Sequence, residues 1–229
     1  MACGGPPPHK QLLLATQEGN ALKANDILRR KECDFSYTDD SGRSVLHHAV
    51  KMEDTSVLQN ILEQCTTEDA LRGNSRNGRT PLMTAANFGK IEACKLLLNK
   101  MGKDQISEAI KQNDTNYCSC IHYASGKGYA ETLELLLSRA NNVRELLEAT
   151  DGGANTPLHK AALGGHSKVV RILLETGAAP DMKNCDGMTP LQMAESSMQG
   201  DWDTVVSILS GANDEGKKSN EEGKKSNHN

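Results

Sequence analysis

The sequence predicts an all-α fold, a solenoid of stacked helix-turn-helix units joined by short β-turn or hairpin loops. The first observation is that residues 155–178 hold two short apolar stretches at helical spacing, separated by a pair of glycines. The second is that copies of this stretch recur along the chain at spacings of 33 to 39 residues. Two short helices joined by a tight turn cannot bury their own apolar faces. They need similar units on either side, which is the arrangement of a repeat protein.

The stretch 155–178 contains the signals that begin and end each helix. Thr156 can cap a helix with its hydroxyl, and Pro157 suits the first helical position, where its missing N–H costs nothing. Gly164 and Gly165 end this helix, because glycine tolerates the left-handed backbone of a helix C-terminus. A second apolar stretch follows and stops at Gly177. We therefore expect one complete helix-turn-helix unit here.

The first apolar position of that unit recurs six times in the chain. The equivalent residues are Leu12, Leu46, Leu82, Ile121, Leu158 and Leu191. Each is followed by a second apolar stretch, such as the three leucines at 96–98. A TPLHxAA first helix followed by a leucine-rich second helix resembles the ankyrin repeat family, and the resemblance covers residues 11–210. It implies that partners bind on a concave surface made by the turn tips and the exposed side of the first helices.

The resemblance divides the chain into six repeats, of which the first and the last are degenerate caps. Their approximate ranges are 11–38, 39–74, 75–113, 114–150, 151–183 and 184–210. Repeat two has no glycine at the end of its first helix, so we expect a less regular turn there. Repeat four departs most from the pattern, with Tyr117 where glycine is usual and Cys120 where proline is usual.

The remaining segments have their own signals. The connections after repeats two, three and four are long, and their apolar spacing predicts an extra helical turn within 67–71, 103–110 and 143–149. Residues 1–10 are rich in glycine and proline, and residues 211–229 are a charged stretch with two near-copies of EGKKSN. We expect both end segments to be disordered.

Composition narrows the classes of function. The net charge of −4 gives no basic footprint for nucleic acid. The seven cysteines are odd in number and irregularly spaced, which favours free thiols in a reducing compartment. No apolar run is long enough to span a membrane, and residues 1–10 contain no secretory signal. We expect a monomer in the cytoplasm, with the nucleus as an alternative, and no membrane insertion.

Histidines could suggest catalysis or metal binding, because His47, His122 and His159 occupy one repeat position. Successive repeats lie roughly 10 Å apart, which is too far for these side chains to share one metal ion. In the family this histidine joins neighbouring turns by hydrogen bonds, and that structural role is the one we expect here. His48 and His166 stand alone in the pattern, and we expect them to face solvent.

Two other motifs suggest chemistry. Cys118, Cys120 and His122 look like part of a zinc site, but the gap between the cysteines is one residue and no fourth ligand is evident. A reactive thiol at Cys118, beside a helix start, stays open as an alternative. Residues 40–44 resemble a phosphodegron, but they fill the ordinary turn of repeat two. No catalytic or phosphate-binding motif is present, so we expect no enzyme, no metal site and no cofactor.

The partner-binding surface is predicted from repeat offsets. It contains cations on an otherwise acidic protein and apolar side chains where a soluble repeat protein should be polar. The predicted residues are Arg43, Lys51, Met52, Arg76, Arg79, Asn87, Phe88, Tyr123, Lys127 and Leu163. An exposed apolar patch marks an interaction site, although single exposed apolar residues are common and carry no such meaning.

The function expected from these features is protein binding without catalysis. The chain would be an adaptor or inhibitor that binds a partner segment carrying acidic and apolar residues. Arginine and aromatic side chains are the usual hot-spot types, so Arg79 and Phe88 lead the prediction. The alternatives are a targeting or regulatory subunit of an enzyme or channel complex, and a pathogen effector that binds a host protein.

Overall fold

A computed structural model describes residues 6–30, 33–74 and 76–212. Its helices are paired by tight turns, as the repeat pattern predicts, and no strand occurs within these described residues; the one β-bridge joins Thr38 and Ser44. The chain divides into two compact units, 1–120 and 121–229, which are described separately.

The first unit holds three helix pairs and two additional helices. The pairs are α1 (Pro8–Gln17) with α2 (Ala21–Arg29), α3 (Val45–Ala49) with α4 (Thr55–Gln64), and α6 (Pro81–Asn87) with α7 (Ile91–Lys100). The additional helices are α5 (Thr67–Leu71) and α8 (Lys103–Lys111). First helices pack on first helices, α1 on α3 and α3 on α6, while second helices pack on second helices, α2 on α4 and α4 on α7. This is the stacking that the repeat pattern requires.

The second unit continues the same order of elements. Its helices are α10 (Ala130–Arg139), α11 (Val143–Glu148), α12 (Pro157–Leu163), α13 (Ser167–Glu175), α14 (Pro190–Ser197) and α15 at residues 202–212. Helix α9 (Cys120–Gly126) begins at the last residue of the first unit. In the second unit α12 packs on both α13 and α14, and α10 packs on α13.

The sequence signals for helix starts are confirmed. Threonine side chains accept the backbone N–H of the residue three positions later at 3.2 Å from Thr80, 3.4 Å from Thr156 and 3.4 Å from Thr189. A proline follows each of these threonines at the first helical position. The caps satisfy donors that a helix start would otherwise leave without partners, and they fix where each first helix begins.

The extra helical turns in the long connections are confirmed as α5, α8 and α11. The less regular turn of repeat two is confirmed as well. Helix α3 has five residues where α6 and α12 have seven, and Glu53 stands at the place of the glycine that ends the turn in the other repeats. A residue with a Cβ adopts the left-handed backbone of that turn poorly, so the helix ends earlier.

The ends of the chain differ in part from expectation. Helix α1 begins at Pro8, inside the segment predicted to be disordered, because proline is preorganised for the first helical position. Helix α15 extends through residues 211 and 212, the start of the predicted charged tail. The rest of both predictions, for residues 1–5 and 213–229, lies outside the described residues.

The core is aliphatic in both units. Leucine, isoleucine, valine and alanine from both helices of each pair are buried, with Leu46, Leu82 and Leu158 fully so. Buried cysteines join them as small apolar side chains, and burial raises the pKa of the Cys65 thiol to about 11 and of the Cys94 thiol to about 12. These thiols are therefore packing residues rather than nucleophiles.

Candidate interaction surface

Each turn tip is built around an aspartate or asparagine whose side chain is used internally. The Oδ1 atom of Asp39 accepts the backbone N–H groups of Ser41 and Arg43, both at 2.9 Å. Equivalent pairs of bonds, between 2.8 and 3.0 Å, are made by Asp114, Asp151 and Asn184. Because these oxygens hold the backbone of the turns, they do not form a cluster of free carboxylates.

Neighbouring tips are joined by the recurring histidines, which confirms their structural role. The Nδ1 atom of His47 accepts the backbone N–H of Ser44 at 3.1 Å, so its proton is on Nε2, which donates to the carbonyl of Arg79 at 2.8 Å. His122 Nε2 lies 3.2 Å from the carbonyl of Asn155, and His159 Nε2 lies 3.1 Å from that of Met188. Each bond therefore joins one repeat to the next.

Burial keeps these histidines neutral. It lowers the pKa of His47 to about 4, against the opposing effect of its hydrogen bond to the Arg79 carbonyl. Burial likewise lowers the pKa of His122 to about 4 and lowers that of His159. A neutral imidazole with one donor and one acceptor matches the two backbone groups that it contacts, and the ring is not available for proton transfer.

The expectation that His48 and His166 face solvent is wrong. The Nε2 atom of His48 lies 2.9 Å from Oδ2 of Asp39, and its side chain is largely buried. The Nε2 atom of His166 lies 3.2 Å from the carbonyl of Gly126, and the ring packs against Gly164. Both side chains make contacts within the protein, although the repeat pattern has no recurring histidine at these positions that would predict them.

Three predicted cations come together in the first unit; we call Arg43, Lys51 and Arg79 the basic cluster. Burial is the main effect that lowers the pKa of Lys51, and the positive charge of Arg43 adds to it, as does that of Arg79, while Asp39 opposes it. Because these like charges repel one another, an anion that binds beside them would relieve the repulsion.

The negative charge of Asp39, which acts on Lys51, is already used within its own turn. Burial opposes ionisation of Asp39, but hydrogen bonds from the Ser41 hydroxyl, the Arg43 backbone N–H and the His48 ring together hold the pKa of this carboxyl well below its usual range. Asp39 thus stays ionised and committed to its own turn.

Phe88 lies beside the basic cluster at the end of α6. Its side chain is 46% exposed, and the Nζ atom of Lys51 lies 5.2 Å from the centre of its ring. This is a cation–π contact between repeats two and three. It places an exposed aromatic ring and a cation on one surface.

A groove adjoins these residues at the ends of the first helices. The helix-end groove, of about 310 Å³, is lined on its apolar side by Met52, Leu58 and Ile91. An ion pair between Glu53 and Lys90 crosses its rim. The groove lies wholly within the first unit, between repeats two and three.

The other predicted residues are distributed differently. Arg76 is exposed, and its backbone N–H donates to Asn74 Oδ1 at 3.1 Å; Asn87 is half-buried at the end of α6. Tyr123, half-buried, and two exposed side chains, Lys127 and Leu163, belong to the second unit. The residues that the structure brings together are therefore Arg43, Lys51, Arg79 and Phe88, with Met52 in the adjoining groove.

Two exposed side chains with a left-handed backbone lie outside the predicted binding surface. Tyr117, at the tip of repeat four, has φ of 59° and is 64% exposed. Met198, at the end of α14, has φ of 48° and is 67% exposed. For Tyr117 the available signal was its place at a glycine position of the repeat.

No group of three or more His, Cys, Asp or Glu side chains in the described part of the chain is arranged to hold a metal ion. The thiol of Cys120, one member of the zinc-like motif, is buried and lies 3.5 Å from the carbonyl of Ile110. Residues 40–44 form the turn of repeat two, as expected, with the Ser41 hydroxyl bonded to Asp39 at 2.6 Å. Within the same described ranges, no helix combines the length and apolar character needed to cross a membrane.

Comparison with known proteins gives consistent matches. A family model described as ankyrin repeats (3 copies) matches residues 12–109, 53–145 and 121–218. The "Probable 26S proteasome regulatory subunit p28" of Saccharomyces cerevisiae is 29% identical over 191 residues, which are 82% of this chain and 79% of that protein. "Protein glp-1" of Caenorhabditis elegans is also 29% identical over 191 residues, but these are only 14% of its length.

The fold has a counterpart among solved structures. The crystal structure of EF0377, an ankyrin repeat protein, matches with a TM-score of 0.70 at 20% identity, covering 88% of this chain and 97% of that one. At this level of identity the match establishes the arrangement of helices alone.

Proposed function

This chain belongs to the ankyrin repeat family, and from that premise we propose that it is a non-enzymatic protein-interaction module, an adaptor or an inhibitor. It binds a segment of another protein on the turn tips and first helices. The partner segment carries acidic and apolar residues. Its proposed place of action is the cytoplasm or the nucleus, where buried thiols such as Cys65 and Cys94 stay reduced.

The observation that carries this proposal is the contact between Lys51 and Phe88 beside the other two cations of the basic cluster. An exposed aromatic ring next to arginine and lysine side chains has the composition of an interface hot spot. The tip carboxylates are committed to the turns and the recurring histidines to the backbone of the next repeat. The residues that could do chemistry are thus used for structure, whereas Arg43 and Phe88 are exposed, with the half-buried Lys51 in contact with the ring.

A second candidate is a regulatory subunit of a larger assembly. It is favoured by the relative from Saccharomyces cerevisiae, which is named as a proteasome regulatory subunit and of which this chain spans 79%. The same surface would then hold the module on one subunit of that assembly. An adaptor would be recovered in a complex with one partner. A regulatory subunit would instead be recovered with several proteins in a fixed ratio.

The test is affinity capture followed by binding measurements. The full chain is immobilised, proteins retained from a lysate are identified by mass spectrometry, and recombinant partners are titrated against wild type and the double variant Arg79→Ala/Phe88→Ala. We expect the variant to bind at least tenfold more weakly, because removal of hot-spot side chains costs more than about 1 kcal/mol each. An unchanged affinity would discard this surface.

The controls separate binding from folding. Because Arg79 is half-buried, a second double variant, Arg43→Ala/Phe88→Ala, removes an exposed arginine instead and should show the same loss. The matched control is Leu22→Ala/Arg171→Ala, which truncates an exposed apolar residue and an exposed arginine on second helices. It should bind as wild type does, and all variants should unfold at similar temperatures.

A further inference from the structure

The two arginines of the basic cluster and the helix-end groove lie at opposite ends of the first helices. Arg43 is in the turn just before α3, and Met52 follows the end of that helix and lines the groove. The eight residue steps from Ser44 to Met52 correspond to about 12 Å at about 1.5 Å per helical residue. Repeat three has the same order, with Arg79 before α6 and Gly89 after it.

Lys51 and Phe88 link the basic cluster to the groove. Lys51 precedes Met52 and Phe88 precedes Gly89, so both residues adjoin groove residues in sequence. The positive charges of Arg43 and Arg79 contribute to lowering the pKa of Lys51, and its Nζ atom lies 5.2 Å from the centre of the Phe88 ring. The surface therefore has arginines at the turn tips and an aromatic ring with apolar side chains at the groove end.

Charges differ between the groove and the turn tips. Glu53 and Glu92 line the groove and each is paired with a lysine, Glu53 with Lys90 and Glu92 with Lys95, so these pairs carry no excess charge. The pairs offer no net attraction to an acidic side chain, whereas the exposed Arg43 at the tip attracts it. An apolar side chain can enter the groove against Met52, Leu58 and Ile91 without losing a charge contact.

We propose that this surface recognises an extended protein segment in which an acidic residue and an apolar residue are separated by about four positions. An extended chain rises about 3.3 Å per residue, so about four residues cover the roughly 12 Å between the arginines at the turn tips and the groove. The segment lies along α3 and α6, with its acidic residue at the tips and its apolar residue in the groove. Either chain direction satisfies the spacing.

This inference deepens the proposed function, and it depends on the surface named there being the binding surface. The apolar half of the site selects a protein segment over a nucleic acid or another polyanion, which would use the cations alone. A polyanion that bound as tightly as the peptides described below would thus contradict the proposal.

The test is selection of peptides by the full chain. A phage library of random 12-residue peptides is selected on the wild-type protein and, in parallel, on the Arg43→Glu variant. We expect sequences enriched on wild type to carry Asp or Glu three to five positions from Leu, Ile, Met or Phe. The proposal would be overturned if the enriched peptides lacked an acidic residue or showed no preferred spacing. Equal enrichment on wild type and Arg43→Glu, or no enrichment at all, would overturn it as well.

Synthetic peptides then measure the spacing directly. Fluorescein-labelled peptides on a Gly-Ser background carry one Glu-Glu pair and one Leu, set two, four or eight positions apart. Fluorescence anisotropy should give the tightest binding for the peptide with a spacing of four positions. Binding should be about tenfold weaker for the peptide with a spacing of eight, and about tenfold weaker for the four-position peptide on the Arg43→Glu variant. The exposed Lys168, outside the first unit, is the matched control, and Lys168→Glu should leave the affinity unchanged.

The outcomes distinguish this inference from the proposed function. If binding of a natural partner depends on Arg43 and Phe88 but the peptides show no preference for spacing, the interaction surface is supported and the proposed segment is refuted. If neither the partner nor the peptides depend on those side chains, both proposals fall. A heparin chain that competes with every peptide equally, whatever its spacing, would assign the site to polyanions.

Discussion

At the scale of single residues, repeat four has a buried hydroxyl at a position where repeats three and five have alanine. Ser125 lies in α9 at the position that alanine occupies as Ala86 and Ala162. It is fully buried, and its hydroxyl oxygen has no hydrogen-bond partner among the residues that the structure describes. Burying a hydroxyl without a partner costs free energy, because its bonds to water are lost and not replaced.

Replacing Ser125 with alanine should therefore stabilise the protein. We expect Ser125→Ala to raise the free energy of unfolding by about 1 kcal/mol, measured by urea denaturation. The control is Ser138→Ala, which removes an exposed hydroxyl that donates to the Leu135 carbonyl and should change stability by less than about 0.5 kcal/mol. A loss of stability in Ser125→Ala would mean that the hydroxyl has a partner, such as a buried water.

Tyr117 is the second destabilising feature of repeat four. Its backbone is left-handed, with φ of 59°, whereas the equivalent turns of repeats two and six have glycine there as Gly42 and Gly187. A residue with a Cβ pays about 1 kcal/mol or more for this conformation. The side chain is exposed, so packing does not offset that cost.

We expect Tyr117→Gly to stabilise the fold by about 1 kcal/mol in thermal or urea unfolding. The neighbouring exposed Asn116 does not have positive φ and is the control. Asn116→Gly should lower stability by about 0.5–1 kcal/mol, because glycine adds freedom to the unfolded chain without relieving strain. Equal effects of the two substitutions would show that the Tyr117 backbone is not strained.

At the scale of elements, the histidine bonds between neighbouring turns make stability depend on pH. In the folded protein burial lowers the pKa of His47 and His122 to about 4, against about 6.5 in the unfolded chain. Between these two values the unfolded state binds more protons than the folded state. The contribution of each histidine is thus fully present above about pH 6.5 and is lost as the pH falls towards 4.

The variant His122→Gln isolates one of these contributions. At pH 7.5 the variant should be less stable than wild type, because its bond to the Asn155 carbonyl is lost or weakened. At pH 4.5 the gap should shrink by about 1–3 kcal/mol, since the wild-type histidine then favours the protonated, unfolded state. Urea unfolding at both pH values measures this change. A gap independent of pH would contradict a neutral, buried His122.

At the scale of the whole molecule, stability in a repeat protein is roughly a sum of local terms. Repeat four has the unpaired hydroxyl of Ser125 and the strained backbone of Tyr117, and Cys120 replaces the proline that begins the first helix in repeats three, five and six. The first compact unit also ends within this repeat, at Cys120. These features predict that repeat four opens before its neighbours.

Hydrogen exchange followed by mass spectrometry measures that order. Backbone amides of α9 and α10 should exchange faster than those of α6 and α7, and than those of α12 and α13. The double variant Ser125→Ala/Tyr117→Gly should slow exchange in repeat four more than elsewhere. Finding repeat four the best protected in wild type would refute the prediction.

The sequence by itself determined the fold class, the helix pairs and the equivalence of the recurring histidines, whose structural role was implied by the resemblance to the ankyrin repeat family. These features depend on spacing along the chain, such as the cap at Thr156 or the equivalence of His47 and His159, and they repeat often enough to be recognised. The exposure of Phe88 was predicted for the same reason, because its position in the repeat is known.

Only the tertiary structure decided which side chains meet between repeats. The contact of Lys51 with Phe88 and the groove beside Met52 join residues of repeats two and three that share no spacing. The bond between His48 and Asp39, within repeat two, likewise had no signal in the repeat pattern. Repeat offsets give the place of a residue within its unit, but the direction of a long side chain depends on its neighbours in the adjacent unit. The local sequence therefore determines the structure of each repeat, whereas packing between repeats determines the candidate binding surface.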